Sequence, residues 1–201
     1  MDALNHQSSG TARRRPDSLE KIKKSARKLF VERGYDATRP QDIARDAGLG
    51  HGTFYLHYEH KRACFLDFVE EIRAEFYSFM DARVGRYDTI EETIARTLGA
   101  IYEYSDANPG VLNAAMADEA LIDADGPSSG SLIHRWGQDW AQTLRTGVGE
   151  NRIADCFNPD ILGHAIVGAI HQCRLEGDRM GYSRDEVIHN LARFLARALR
   201  P

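Results

Sequence analysis

The side chains best suited to recognition chemistry lie between positions 38 and 61, in the stretch TRPQDIARDAGLGHGTFYLHYEHK. Its second half is rich in histidine and tyrosine and ends in a lysine. Histidine and tyrosine can donate and accept hydrogen bonds, and lysine carries a positive charge. The chain has no GxSxG, P-loop, GxGxxG or HExxH motif and no cysteine-centred metal set. We therefore expect this stretch to bind a partner, and we expect the chain not to be an enzyme.

Two short helices joined by a glycine turn are predicted for this stretch. The first covers about Pro40–Ala47 with Ile43 and Ala44 facing inward, and residues 48–50, Gly-Leu-Gly, form the turn. The turn requires glycine because its backbone passes through conformations that a Cβ forbids. The second helix buries Phe54. This arrangement is the helix-turn-helix motif, whose second helix enters the major groove of DNA.

The same region resembles the tetracycline-repressor (TetR) family of bacterial transcription regulators. The similarity runs through IKKSARKLFVERGYDAT and DIARDAGLGHGTFYLHYEHK in nearly unbroken register, and the rest of the chain resembles the family only in being helical and of suitable length. The resemblance implies an all-α fold of about nine helices. It has a three-helix DNA-binding head and a larger body for ligand binding and dimerisation.

Seven side chains are expected to contact DNA, six of them because of the resemblance and the arginine because of its charge at the DNA-facing edge. Those of the second helix stand where the family's reading helix touches DNA, and the lysine stands where the family grips a phosphate. The threonine and the arginine lie at the DNA-facing edge, at the start of the preceding helix. The seven residues are Thr38, Arg39, His51, Thr53, Tyr55, His57 and Lys61. The alternative is that the tyrosine belongs to the core and the histidines to a solvated surface.

Four positions depart from the family pattern, and one of them is Arg39, which adds positive charge at the DNA-facing edge. Gly50 stands where the family often has a serine that caps the reading helix and can reach a phosphate. Glycine is only a slightly weaker cap, but the phosphate contact is lost. Arg62 and Cys64 stand where the family usually has an acidic residue and a leucine.

Charge divides the chain near position 63. Residues 1–63 carry 13 Lys and Arg against 8 Asp and Glu, net +5, whereas residues 64–201 carry 13 against 22, net −9. A basic head on an acidic body predicts that only the head meets a polyanion. We expect a mobile basic arm at 1–16, a DNA-binding domain at 17–62 and a ligand-binding and dimerisation domain at 63–201.

Capping patterns and apolar periodicity predict helices along the rest of the chain. Capping boxes begin at Asp17 and Ser183, and Asn-Pro pairs at 108–109 and 158–159 each suggest a helix start. An apolar stripe predicts a long helix from about Lys61 to Val84. No segment alternates with period two, so we expect no sheet.

Aromatic and apolar side chains of the body are candidates for an effector pocket. They are Phe76, Tyr102, Met116, Trp136 and Trp140. Aromatic stripes at helical spacing also belong to ordinary cores, and it is the family resemblance that implies a pocket. The aromatic content favours an effector that is bulky and largely apolar.

The last two helices, about 159–176 and 184–199, carry small residues and apolar stripes that fit a dimer-forming four-helix bundle. His164 and His171 lie seven apart on one face, which raises a metal site as an alternative. No carboxylate or cysteine completes a ligand set, so we expect hydrogen-bonded histidines and no metal or cofactor.

The longest uncharged apolar segment, 161–173, has thirteen residues, fewer than the ~20 that a membrane span needs. With no secretory signal and three scattered cysteines, we expect a cytoplasmic protein without membrane contact. The expected function is a homodimeric DNA-binding regulator, a repressor that a small molecule releases from a palindromic operator. The alternatives are an all-helical small-molecule-binding protein or enzyme, and a TetR-like regulator with a filled core that responds to no small ligand.

Overall fold

The computed structural model describes residues 9–85, 89–116 and 131–201, and within these ranges every regular element is an α-helix. The helices of the described ranges are α1 (Ser9–Ala37), α2 (Pro40–Asp46), α3 (His51–Tyr55), α4 (Lys61–Arg83), α5 (Ile90–Ala107), α6 (Val111–Met116), α7 (Leu132–Gly149), α8 (Pro159–Met180) and α9 (Arg184–Ala198). The predicted all-α fold is confirmed. None of these helices is long and apolar enough to cross a membrane.

The first helix begins earlier than the sequence predicts. α1 starts at Ser9, so the predicted arm is wrong for residues 9–16, and residues 1–8 lie outside the described part of the chain. Alanine and arginine are good helix formers, and extending an existing helix requires no new nucleation. Pro16 lies inside the helix and costs it one backbone hydrogen bond.

Gly34 separates the last turn of α1 from the helix before it. Its φ of +76° lies where glycine alone is unstrained, so the helix is interrupted at this position. The break lets the Tyr35 ring turn onto Phe65 of α4, with the ring centroids 4.9 Å apart. The end of α1 is thereby packed against the start of α4.

The long helix α4 runs from the head into the body, as predicted, and ends one residue before the predicted boundary. His60 caps its start, since the His60 Nδ1 accepts a hydrogen bond from the Ala63 N–H at 3.0 Å. The buried side chains of α4 form one continuous stripe into the core; they are Cys64, Phe65, Phe68, Val69, Ile72, Phe76 and Met80. Burial raises the pKa of the Cys64 thiol to about 12, so this residue is an inert core group.

Helices α7 and α8 approach so closely that glycine is required between them. A Cβ on Gly163 would lie 2.3 Å from the Gly137 carbonyl oxygen and 2.7 Å from the Ala141 nitrogen. A similar contact joins α8 to α9, where a Cβ on Gly177 would lie 2.5 Å from Val187. The small residues that the sequence places on α8 therefore set the spacing of the last three helices.

Candidate nucleic-acid interface and effector cleft

The turn between α2 and α3 requires glycine at one position. Gly48 has a φ of +68°, and the Leu49 N–H donates to the Ala44 carbonyl oxygen at 2.9 Å. Ile43 and Phe54 are fully buried beneath the turn. Two helices this short are stable because of such packing. The predicted helix-turn-helix is confirmed.

Helix α3 turns a pair of aromatic rings to the solvent. His51 is exposed, Tyr55 is 50% exposed, and their rings meet edge-on with centroids 5.4 Å apart. Thr53 is half-buried, and Phe54 anchors the opposite face. The next residue, Leu56, is 63% exposed. Sequence reasoning did not single out Leu56, although an exposed leucine beside a reading helix could contact a thymine methyl group.

His57 lies beyond the end of α3, because the helix ends at Tyr55 and Leu56 is its C-terminal cap. The His57 Nε2 lies 2.7 Å from the Ser18 Oγ of α1, within a hydrogen bond. This bond joins the reading helix to the first helix of the head. The structure therefore gives His57 a positioning role rather than a place on the exposed face of α3.

Thr38 is fully buried, so the predicted DNA contact of its side chain is wrong. Its hydroxyl lies 2.7 Å from the Gly34 carbonyl oxygen and 3.2 Å from that of Leu29. It donates to these carbonyls beside the break at Gly34. Thr38 therefore satisfies the end of α1 from within.

The two cations of this region differ in their surroundings. Arg39 is exposed at the N-cap of α2 and forms no ion pair within the described ranges, so its charge is available to a phosphate. Lys61 is half-buried, and its ammonium donates to the carbonyl oxygens of Tyr35 and Asp36 at 2.9 and 3.5 Å. Its predicted contact with phosphate stays a prediction.

Ion pairs fasten α1 to α4 along two turns. The Lys23 ammonium lies between the carboxylates of Asp67 and Glu71, at 3.0 and 2.8 Å, and the Arg27 guanidinium meets Glu75 at 2.6 Å. The hydrogen bond with Glu71 raises the pKa of Lys23 above its usual value. Helix α4 is therefore joined to the first helix of the head by three ion pairs.

Three of the predicted effector-binding residues meet at one cleft. Phe76, Trp136 and Trp140 line a cleft of about 490 Å³ between α4, α5 and α7. The rings of Phe76 and Trp136 meet edge-on, with centroids 5.7 Å apart. The three residues thus form an aromatic wall of this cleft, and their contact with an effector stays a prediction.

The same cleft is more polar than the sequence suggested. Arg135, Asp81 and three threonines also line it. The Tyr77 hydroxyl donates to the Asp139 carboxylate at 2.5 Å. Burial raises the pKa of Tyr77, so the phenol stays protonated. A ligand of this cleft would need polar groups beside its apolar surface.

Tyr102 and Met116 are not part of this cleft. Tyr102 is buried on α5, and the Arg184 guanidinium of α9 lies 4.9 Å from the centroid of its ring. Met116 is half-buried at the end of α6. These two residues therefore lie apart from Phe76, Trp136 and Trp140, and helical periodicity could not show this because it does not tell which neighbouring helix a face meets.

His164 is half-buried and hydrogen-bonded. Its Nδ1 lies 2.8 Å from the Asp160 carbonyl oxygen, and its Nε2 lies 3.3 Å from the His134 Nδ1 of α7. The partner on α7 was not foreseen from His164 and His171 alone. In the part of the chain that the structure describes, no three His, Cys, Asp or Glu side chains are grouped to hold a metal ion.

Comparison with known proteins identifies the head. Residues 22–68 match the family model for bacterial regulatory proteins of the tetR family. The head of the chain is therefore of the TetR type. The matched segment contains most of α1, the helix-turn-helix and the first turns of α4. This segment is therefore a helix-turn-helix domain of the tetR type.

Two relatives differ in how much of the chain they match. The HTH-type transcriptional regulator YerO of Bacillus subtilis is 36% identical over 79 residues, which are 39% of this chain and 25% of YerO. The match thus spans about a quarter of that relative's length. The HTH-type transcriptional repressor DhaR of Mycobacterium sp. strain GP1 is 24% identical over 163 residues, 75% of this chain and 79% of DhaR.

Solved structures extend the likeness to the whole fold. The fatty acid degradation regulator FadR of Bacillus halodurans superposes with a TM-score of 0.70, covering 96% of this chain and 97% of that chain at 13% identity. The whole chain, including the body, therefore has the same fold as that structure at low sequence identity.

Proposed function

We propose that this protein is a homodimeric repressor of the TetR family that binds a palindromic operator and is released by a small molecule. The head, residues 17–62, contacts the DNA, and residues 63–201 bind the effector and the second subunit. The exposed face of α3 carries the proposal, since His51 and Tyr55 point to solvent from a helix that is anchored by its opposite face. The naming of DhaR as a repressor supports repression.

Dimerisation through α8 and α9 is supported by an exposed apolar surface. The exposed side chains are Ile161, Met180, Tyr182 and Phe194, and a groove of about 560 Å³ runs between the two helices. Large exposed apolar patches are typical of interaction sites. A two-fold dimer presents two reading helices, which match half-sites about one helical turn apart.

Effector release is supported by the position of the aromatic cleft. Phe76 and Met80 line it from α4, the helix that ion pairs join to the head. A ligand that moves α4 would change the separation of the two heads. Bases on successive turns could then no longer be contacted together.

The test of this function is binding to the DNA upstream of the protein's own coding region. We expect a retarded complex, a footprint covering two half-sites and release by at least one compound of a small-molecule library. A purified dimer that binds this DNA no better than random DNA would contradict the proposal. A specific complex that no compound of the library releases would contradict its effector part.

A further inference from the structure

The aromatic cleft adjoins a second hollow of about 420 Å³. Val84 of α4, Thr93 of α5 and Thr143 of α7 line both of them, so the cleft and the second hollow form one cavity. Ile153 lines the second hollow but not the cleft. Its side chain packs so closely on Gly147 that a Cβ there would collide with it. The second hollow therefore has a fixed aliphatic wall.

The cavity is elongated, because its walls follow two helices in the same order. The residues of α5 that line it run from Ile90 in the second hollow to Thr97 in the cleft, a rise of about 10 Å. Those of α7 run from Gly147 to Arg135, a rise of about 18 Å. The aromatic rings lie toward one end and the aliphatic wall toward the other. A long ligand with two different ends fits this shape.

Threonine hydroxyls line both parts of the cavity and act as acceptors. Each donates to the carbonyl oxygen four residues earlier in its own helix, at 2.8 to 3.1 Å. A hydroxyl has one proton and two lone pairs, so a hydroxyl that already donates to the backbone can only accept from a ligand. The four residues are Thr93, Thr97, Thr143 and Thr146. A ligand with N–H donors matches these walls.

The charged side chains that line the cavity favour a cation. Asp81 and Asp139 line the aromatic cleft together with Arg135. Arg135 precedes Asp139 by four residues on α7, so the two charges lie on one face and offset each other. The second hollow adds Arg152, whose Nε donates to the Glu150 carboxylate at 2.8 Å. Asp81 therefore leaves the described walls with a net negative charge.

The rest of the chain does not reverse this sign, and the rings add to it. The segments outside the described ranges carry six Asp and Glu against one Arg. Trp136 and Trp140 line the cleft, and the face of a tryptophan ring attracts an ammonium group within about 6 Å. Together with Asp81, the two rings supply the contacts that a positively charged nitrogen requires.

We propose that the effector is an elongated organic cation, with its charged nitrogen beside the two tryptophans and Asp81 and its apolar body extended toward Ile153. The N–H groups of the nitrogen donate to threonine oxygens. This inference rests on the proposed release of the operator through the aromatic cleft, and it names the class of ligand for that cleft. A carboxylate in place of the nitrogen would be repelled by Asp81.

The experiment is a fluorescence titration of the full-length protein without DNA. The chain has two tryptophans, and both line the cleft, so intrinsic fluorescence reports its occupancy. The probes share one alkyl chain and differ in charge: octylamine, which is protonated at neutral pH like a lysine side chain, octan-1-ol and octanoate. We expect octylammonium to bind about tenfold more tightly than octan-1-ol, because the rings and the carboxylate both favour its charge. Octanoate should bind most weakly.

Three variants locate the charge and the chain of the ligand. Asp81→Asn should reduce the preference for octylammonium over octan-1-ol to about threefold, the part that the tryptophan faces supply. Asp155→Asn, at an exposed position that lines neither part of the cavity, is the matched control and should keep the full preference. Thr146→Phe narrows the second hollow, so it should weaken octylammonium more than butylammonium. The Tm of each variant is measured in parallel.

Each other outcome contradicts a stated part of the inference. Octan-1-ol or octanoate binding as tightly as octylammonium, or no response to any probe, would overturn the cation. Equal effects of Asp81→Asn and Asp155→Asn would overturn the position of its charge. Butylammonium binding as tightly as octylammonium to the wild type would overturn the elongated shape.

Failure of this inference is distinguishable from failure of the proposed function. The titration contains no DNA, so its result stands whether or not the protein binds an operator. A neutral or anionic library compound that releases the operator would support the proposed function and overturn the cation.

Discussion

The Lys61 ammonium donates a hydrogen bond to the Tyr35 carbonyl oxygen at 2.9 Å and lies 3.9 Å from the centroid of that residue's ring. The ring packs in turn on Phe65 of α4. One lysine therefore joins the end of α1 to the start of α4. It keeps an N–H bond for a phosphate, because an ammonium has three donors and the two carbonyl oxygens use two.

Replacing Lys61 should therefore affect folding as well as DNA binding. We expect Lys61→Ala to lower the free energy of unfolding by about 1 kcal/mol, the usual net value of such a hydrogen bond, and to weaken operator and random DNA alike. Urea denaturation and fluorescence anisotropy measure the two effects. Lys24→Ala, at an exposed position of α1, is the control and should leave stability unchanged. Unaltered stability of Lys61→Ala would contradict the structural role.

Arg39 should bind phosphate without a structural role, since it is exposed and has no ion-pair partner in the described ranges. Each neutralised phosphate contributes about 0.9 to the log–log dependence of affinity on salt. We expect Arg39→Ala to make that slope shallower by about this amount, measured for the operator between low and physiological salt. Arg45→Ala should change it less, because Asp42 already pairs with Arg45 at 2.5 Å. Equal slopes for wild type and Arg39→Ala would exclude the contact.

His51 should read bases rather than stabilise the fold. We expect His51→Ala to keep the Tm of the wild type and to reduce discrimination between operator and random DNA by about 1–3 kcal/mol. Phe54→Ala, on the opposite face of α3, should instead lower stability by about 3–5 kcal/mol, the cost of a large core truncation. Equal loss of affinity for both DNAs in His51→Ala would assign this residue to phosphate contact.

The sequence located the helix-turn-helix, but it did not show which polar side chains face outward. Thr38 and His57 are of the right type and adjoin the motif. However, the Thr38 hydroxyl donates to the Gly34 carbonyl oxygen, and the His57 ring is hydrogen-bonded to Ser18, 39 residues away. Both lie outside helices, where periodicity gives no face. His51 and Tyr55 lie within α3, and helical spacing from the buried Phe54 was enough to predict their exposure.

Helix starts were predictable only where the local pattern matched the tertiary structure. Asn158 caps α8, and its Oδ1 accepts from the Asp160 and Ile161 N–H groups at 2.9 and 3.2 Å. Asn108, with the same Asn-Pro pattern, ends α5 instead, and its amide donates to the Tyr104 carbonyl oxygen at 3.2 Å. The partner helix of each aromatic residue was beyond the reach of any local pattern, which is why Tyr102 was grouped with Trp136.

Acid should weaken the packing of α5 against α9. The hydrogen bond from Arg184 lowers the pKa of Asp106. Because the folded pKa lies below the unfolded one, the pair stabilises the protein above the unfolded pKa of about 4 and ceases to do so as pH falls through the folded value. We expect the urea concentration at the midpoint of unfolding to decrease as the pH is lowered below about 4. The decrease should be smaller in Asp106→Asn. Parallel pH profiles for the two proteins would contradict the assignment.

Replacing Phe194 should affect dimerisation alone, whereas replacing Leu191 should affect folding, although both lie on the apolar face of α9. Phe194 is 66% exposed, whereas Leu191 is 7% exposed. We expect Phe194→Asp to give a folded monomer in sedimentation, with Tm measured in parallel, and Leu191→Asp to unfold the body. A Phe194→Asp protein that remains dimeric would place the interface elsewhere.

Operator release should depend on Trp136, which lies beside Phe76 of α4 in the aromatic cleft. The larger truncation to alanine would open a cavity in a buried wall, so Trp136→Phe is the safer variant. We expect Trp136→Phe to lower the affinity for a compound that releases the operator. The affinity for DNA in the absence of the compound should be unchanged. Tyr104→Phe, which alters a residue outside the cleft, is the matched control.

The coupling must be reciprocal if the compound acts through α4. The compound must bind the DNA-free protein more tightly than the operator complex. Bound DNA must then lower the affinity for the compound by the same factor by which the compound lowers the affinity for DNA. Typical couplings of about 1–3 kcal/mol correspond to a 5- to 150-fold change in affinity, which titration of the compound into free and operator-bound protein resolves. A compound that releases the operator but binds both forms equally would contradict this mechanism, because a ligand without differential affinity cannot shift the equilibrium between them.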